Sequence, residues 1–171
     1  MKIQKWKSGP AFAALVVLAA AGFMPANGQV ILTNFPTPNG LGLGAVNPNL
    51  NKIYFAQGTP TAQPMVVLDG ATYSQTTVGN GDDVSVDVTN NNYWSAGVYS
   101  DSLTAWDSNN NALASPATGS GCTIAVSVDA PHRRVWTSAQ CSDSIWVFNA
   151  DTYAYVAGPI SPGGVGGNIF V

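Results

Sequence analysis

The chain has 171 residues, 46% of them hydrophobic and only 9% charged, with a formal net charge of −3. Phosphate backbones are gripped chiefly by Lys and Arg, and six basic residues in the whole chain make nucleic acid and anionic membrane poor partners. Abundant Asn, Ser, Thr and Gly at low charge suit instead an exported β-protein whose surface is polar without being ionic.

Taken in order, the chain opens with Lys2, Lys5 and Lys7, a short apolar run over residues 11–21, and small residues at Ala26 and Gly28. That is the layout of a secretory signal, so residues 1–28 are expected to be cleaved near Gly28. The apolar run is too short for a hydrocarbon core that takes about 20 residues to cross. No cysteine follows it to carry a lipid. A secreted or periplasmic product with no membrane span is expected. It keeps Lys52, Arg133 and Arg134 against nine aspartates, a net charge of −6.

Residues 29–40 read as one isolated strand, Val30 to Thr33, broken off by Pro36 and Pro38. The next stretch then recurs twice. Val46 aligns with Val86 and Val128 at offsets of 40 and 42 residues, and Tyr54 with Trp94 and Trp136. The same frame brings Asp69 onto Asp107 and Asn149, and Tyr73 onto Tyr153. A period near 40 residues with several short strands per unit marks a propeller or solenoid.

The second unit parses most clearly. Val84, Val86 and Val88 alternate with polar residues, a polar turn leads to Tyr93-Trp94-Ser95, and Leu103 to Trp106 form a third strand. A short fourth strand surrounds Leu113. Four antiparallel strands in about 40 residues make one propeller blade. The predicted units are 41–81, 82–121 and 122–160, with 161–171 as the start of a further blade. Small residues at Ser85, Ala125 and Ser127 suit inner strands crowded round an axis.

The residues AVNPNLNKIYFAQ…MVVLDGATYSQTTVG in the first unit carry a family resemblance. The second unit, VDVTNNNYWSAG…SLTAWDSNNN, and the third, VDAPHRRVWTSAQ…SIWVFNADTYAYVAG, follow more loosely. The pattern resembles the 40-residue YVTN-type β-propeller repeat, with YFAQ, YWSA and VWTS standing where the signature letters fall. The resemblance implies an all-β propeller fragment of three four-stranded antiparallel blades plus the start of a fourth. It further implies an exported scaffold of a family with varied roles.

Propellers run from about four to eight blades. Three repeats therefore point either to a fragment of a longer protein, the reading preferred here, or to assembly. A homodimer of two chains would supply six blades.

Among residues that might carry chemistry, Cys122 opens the first strand of the third unit and Cys141 lies in its second-to-third loop. Blade topology brings these positions to one face, and an exported protein meets an oxidising compartment, so a disulfide is expected. Asp69, Asp107 and Asn149 recur where a third strand ends, and Asn47, Asp87 and Asp129 at the first hairpin. There a side-chain oxygen can satisfy the turn's N–H groups. Asp82, Asp83, Asp101 and Asp143 fall on the loop face shared with the cysteines. They are the candidates for calcium, which takes several oxygen ligands, against the plainer reading of solvated loops.

His132, the single histidine, is expected on an exposed hairpin away from those loops, and no nucleophile-elbow motif accompanies it. Arg133 and Arg134 could grip an acidic group. The recurrent aromatics Tyr54, Trp94, Trp136, Trp106, Trp146, Phe148, Tyr73 and Tyr153 are assigned to packing. Tyr99 and Tyr155, outside the repeat pattern, join Asp101 and Asp143 as candidates for a binding surface.

The function read from these residues is a non-enzymatic binding or scaffold module, with no cofactor, for a protein, glycan or cell-envelope partner. The alternative is part of a lactonase- or lyase-type propeller enzyme with its site in the central channel. That would need carboxylates, His or Asn converging from several blades. The chain supplies no Glu, and its inner strands are rich in Val, Ile, Ala and Ser.

Overall fold

The computed structural model describes residues 42–57, 64–98, 100–119, 122–161 and 163. The expected signal segment, the strand at residues 29–40, Tyr99 and residues 164–171 lie outside them.

The described residues form twelve strands and one 3₁₀ turn. The first sheet is β1 (Gly44–Asn47), β2 (Lys52–Phe55), β3 (Pro64–Asp69) and β4 (Gln75–Asn80). The second is β5 (Asp83–Asp87), β6 (Asn92–Ala96), β7 (Leu103–Trp106) and β8 (Ala112–Ala114). The third is β9 (Thr123–Asp129), β10 (Arg134–Ala139), β11 (Ser144–Asn149) and β12 (Tyr155–Ile160), with the 3₁₀ turn Gln140–Ser142 between β10 and β11. Each sheet runs in chain order and all pairs are antiparallel, which gives three four-stranded blades.

Local chemistry fixes the turns. At the first hairpin of each blade the backbone N–H groups donate to an Asx side chain: Asn49 and Leu50 to Asn47, Thr89 to Asp87, and His132 to Asp129. After the third strand the same device recurs on Asp69, Asp107 and Asn149, each accepting two turn amides. For Asp69 the turn amides, and for Asp107 the Asn111 side-chain amide first and then the turn amides, hold the carboxyl below the usual carboxylate range. Asn51, Asn91 and Arg133 close the first hairpins in the left-handed region, with φ of 51°, 56° and 55°.

Inner strands β1, β5 and β9 lie side by side, and the apolar core sits between blades. At the first junction Tyr54, Ala56, Met65, Val67 and Val78 pack against Val84 and Tyr93. At the second, Trp94, Ala96, Leu103 and Ala105 pack against Val126, Val135 and Phe148. Tyr54, Trp94 and Phe148 are buried as expected of core, while Trp106, Trp136, Trp146 and Tyr153 are half-buried. Tyr73 departs from the packing assignment. It is 45% exposed, in a left-handed turn after β3 that carries its ring to the rim of the first blade.

Cys122 and Cys141 form a disulfide with their Cα atoms 5.5 Å apart. It closes a loop of 19 residues, worth about 3 kcal/mol in the chain-entropy view. Among the described residues no helix is long and apolar enough to cross a membrane.

Candidate functional site

The strands of the second blade end in two different sets of loops. At one end, the loop from β6 to β7 and the segment entering β5 border a cleft of about 300 Å³. Asn80, Asp82, Ser95, Ser100, Thr104 and Trp106 contribute its polar and aromatic wall, with Gly97 and Ser102 beside them.

Most wall residues are held by their neighbours. Val98 donates its backbone N–H to Asp82 Oδ2. Trp106 Nε1 donates to Ser95 Oγ at 3.0 Å, which pins the indole across the strand pair. Ser100 and Ser102 share a hydroxyl–hydroxyl bond of 3.0 Å, and Thr104 reaches Ser115 at 3.4 Å. The indole lies against β4 of the first blade, and a Cβ placed on Gly79 would come within 2.4 Å of it, so this close approach requires glycine. Partial burial pushes the Asp82 carboxyl above its ordinary value, with the Val98 N–H opposing the shift.

The four aspartates singled out in the sequence do not converge. Asp82 stands in the cleft. Asp83 is buried, 7% exposed, and accepts N–H bonds from Val84 and, across the blade junction, from Val126 at 2.8 Å. Its carboxyl is raised too, by burial first. Asp101 is exposed, and its backbone carbonyl accepts from Thr118. Asp143 is exposed in a left-handed turn after the 3₁₀ segment. Among the described residues no three His, Cys, Asp or Glu side chains come together to hold a metal ion.

Tyr155 is 54% exposed, yet its ring rests edge-on against Trp146 and Phe148 and its hydroxyl donates to the Gly158 carbonyl. It belongs to the outer edge of the third blade, away from the cleft.

At the opposite end of the strands lie the first hairpins. His132 is 79% exposed there and its ring nitrogen bonds Asp129 at 2.8 Å. Arg133 crosses to the second blade and forms a bidentate pair with Asp87, at 2.8 and 2.7 Å, while also bonding Asp151. These bonds, that to Asp87 first, push the Arg133 guanidinium further up, and Arg133 draws the Asp151 carboxyl down. The acidic group that Arg133 grips is thus within the protein.

Sequence reasoning missed Ser95, Asn80 and Trp106 as neighbours in one cleft. Asp101 reads in sequence only as a calcium candidate, a binding-surface candidate or a solvated loop residue, and no local signal reports which residues two successive sheets bring face to face.

No family profile matches the chain, and no curated protein matches it. Solved structures do. The chain superposes on the WD40 repeats of RRP9 with a TM-score of 0.62 at 9% identity, covering 72% of this chain and 39% of that one. A chain of the hydrazine synthase of Kuenenia stuttgartiensis gives 0.59 at 13% identity, with 75% and 38% covered. A chain of a nidogen/laminin complex gives 0.53 at 11%, with 67% and 46% covered. The chain spans less than half the length of each of these. WD40 repeats build four-stranded propeller blades, and at such identities the likeness is one of fold. What this chain has in common with them is the β-propeller blade, repeated three times among the described residues.

Proposed function

We propose that this chain is an exported propeller-repeat protein of the YVTN type. In this reading it is a non-enzymatic binding or scaffold module that meets a cell-envelope glycan at the Asp82 cleft. The observation that carries the reading is how the cleft's polar groups are spent. Its serine hydroxyls bond to one another and to an indole N–H, and its single carboxylate is held by a backbone amide. His132 lies at the other end of the strands, and among the described residues no histidine stands beside a cleft hydroxyl to activate it. Hydroxyls, one carboxylate, one amide and the edge of a tryptophan suit hydrogen-bonded recognition of a hydroxyl-rich ligand. The disulfide supports the assignment to an oxidising compartment.

The test is a glycan array probed with the purified protein, with a lactone-hydrolysis assay run beside it. Retention on hydroxyl-rich glycans is expected, lost in Ser102→Trp, which fills the cleft, with no lactone turnover. Turnover would overturn the non-enzymatic reading. Retention on no glycan, or retention unchanged in Ser102→Trp, would remove the cleft as the contact.

A further inference from the structure

The charged side chains are sorted between the two ends of the strands. Among the described residues every Lys, Arg and His stands at the hairpin end. Lys52 opens β2 there and its Nζ donates to the Ser108 carbonyl. Arg133 pairs with Asp87 and Asp151, Arg134 Nη1 donates to the Arg133 carbonyl, and His132 bonds Asp129. At the cleft end stand Asp82, Asp83, Asp101 and Asp143, with no basic side chain beside them among the described residues.

Asp82 is where this one-sided charge meets the cleft. Its Oδ2 accepts the Val98 amide, and it borders the same cavity as the Trp106 indole. Asp83, next along the chain, spends its oxygens on the Val84 and Val126 amides and sets a like charge beside Asp82. Partial burial raises the Asp82 carboxyl, and no basic side chain among the described residues offsets that rise. A half-desolvated carboxylate gains most from a charge-assisted bond with a cation. A cleft lined by one sign of charge also concentrates ligands of the other sign.

We propose that the Asp82 cleft selects an amino sugar, with the ligand's ammonium on the Asp82 carboxylate and its ring against Trp106. This rests on the glycan reading above and narrows it from a hydroxyl-rich ligand to one that is also cationic. Ser100 and Ser102 carry hydroxyls that both donate and accept, so they meet sugar hydroxyls without regard to charge. The indole, pinned by Ser95, offers an apolar and cation-attracting surface. The carboxylate is what separates an ammonium from a hydroxyl, and it repels glycans that carry carboxylate or phosphate groups.

The experiment is calorimetric titration of the full protein with a glucosamine tetramer and with a glucose tetramer of the same linkage, in buffer where the amine is protonated. Ring for ring the two differ only in an ammonium against a hydroxyl. The amino form is expected to bind about tenfold tighter or more, the scale of a hydrogen bond to a charged group. Asp82→Asn, close to isosteric, should erase that difference, and melting curves check that the variant folds. Equal affinities, both lost in Ser102→Trp, would overturn the selection of a cation and leave the glycan reading standing. Binding of neither tetramer would overturn both. A preference that persists in Asp82→Asn or in Ser102→Trp would be diffuse attraction of a polycation to an acidic protein, and would overturn the assignment to this carboxylate.

Discussion

The first and second blade junctions share a backbone plan and differ in chemistry. The first is built on aromatic contact, with no ion pair across it among the described residues: Tyr54 lies 4.3 Å from Tyr93, and Tyr93 stacks on Trp106 at 6.1 Å. Amides meet amides at Asn47, Asn49 and Asn91, and Lys52 and Asn49 donate to the Ser108 and Val88 carbonyls. The second is tied by directional bonds. Arg133 pairs with Asp87, Asp83 accepts from Val126, and Ser85 Oγ accepts from Val128 N at 3.0 Å. Apolar contact tolerates small sliding of one sheet on another, whereas a bidentate pair adds geometric specificity to the bonds that hold the register. The cleft opens beside the aromatic junction.

Breaking the second junction at its core should have the largest effect. Trp94 is fully buried between blades, and Trp94→Ala is expected to cost about 3–5 kcal/mol in urea unfolding. A near-neutral result would move that ring out of the core. Next comes the contrast between the two hairpin bonds. Asp87→Ala removes the bidentate partner of Arg133, which keeps Asp151, and should cost about 2 kcal/mol, as for hydrogen bonds to a charged group. Asn47→Ala loses only neutral bonds and should cost about 1 kcal/mol. Equal losses would erase the difference drawn between the junctions.

At the aromatic junction the sign reverses. Tyr54 buries a hydroxyl that has no hydrogen-bond partner among the described residues, and burial pushes it up to about 12. Removing that desolvated group in Tyr54→Phe should stabilise by about 1 kcal/mol, read as a shift in the urea midpoint at constant slope.

The smallest effect is in the pH profile. Asp82 has its pKa raised from 3.8 by burial, so the folded form holds that proton more tightly than the unfolded chain. Its contribution to stability therefore falls as the pH climbs from about 3.8 through the folded value, and Asp82→Asn should flatten that decline. Asp151, lowered by Arg133, acts in the opposite sense: its contribution is present above about 3.8 and lost as the pH falls. Unfolding followed by tryptophan fluorescence from acid to neutral pH separates the two. An unchanged slope in Asp82→Asn would mean that this carboxyl is solvated.

Much of the fold was legible because its causes are local. Strand alternation at Val84 and Val86, the recurring Asx residues and the 40- to 42-residue offsets all act within one blade, and the structure places a turn at each of those Asx positions. The cysteine pairing was also readable, since it follows from where loops emerge in a four-stranded blade. Tyr73 and Tyr153 show where this reading stops. They look alike in sequence, yet Tyr153 is half-buried against Trp94 of the preceding blade while Tyr73 is 45% exposed.

By itself, the sequence determined what depends on neighbours along the chain: short antiparallel strands, turn chemistry, the repeat and the blade. The tertiary structure alone decided what depends on how one sheet faces the next. It separated Asp82 in the cleft from Asp83 in the junction, and it brought Arg133 to Asp87 across 46 residues. The physical reason is range. Strand alternation and Asx turns are satisfied within a few residues, whereas desolvation and ion pairing depend on the opposing sheet, whose register no single repeat encodes.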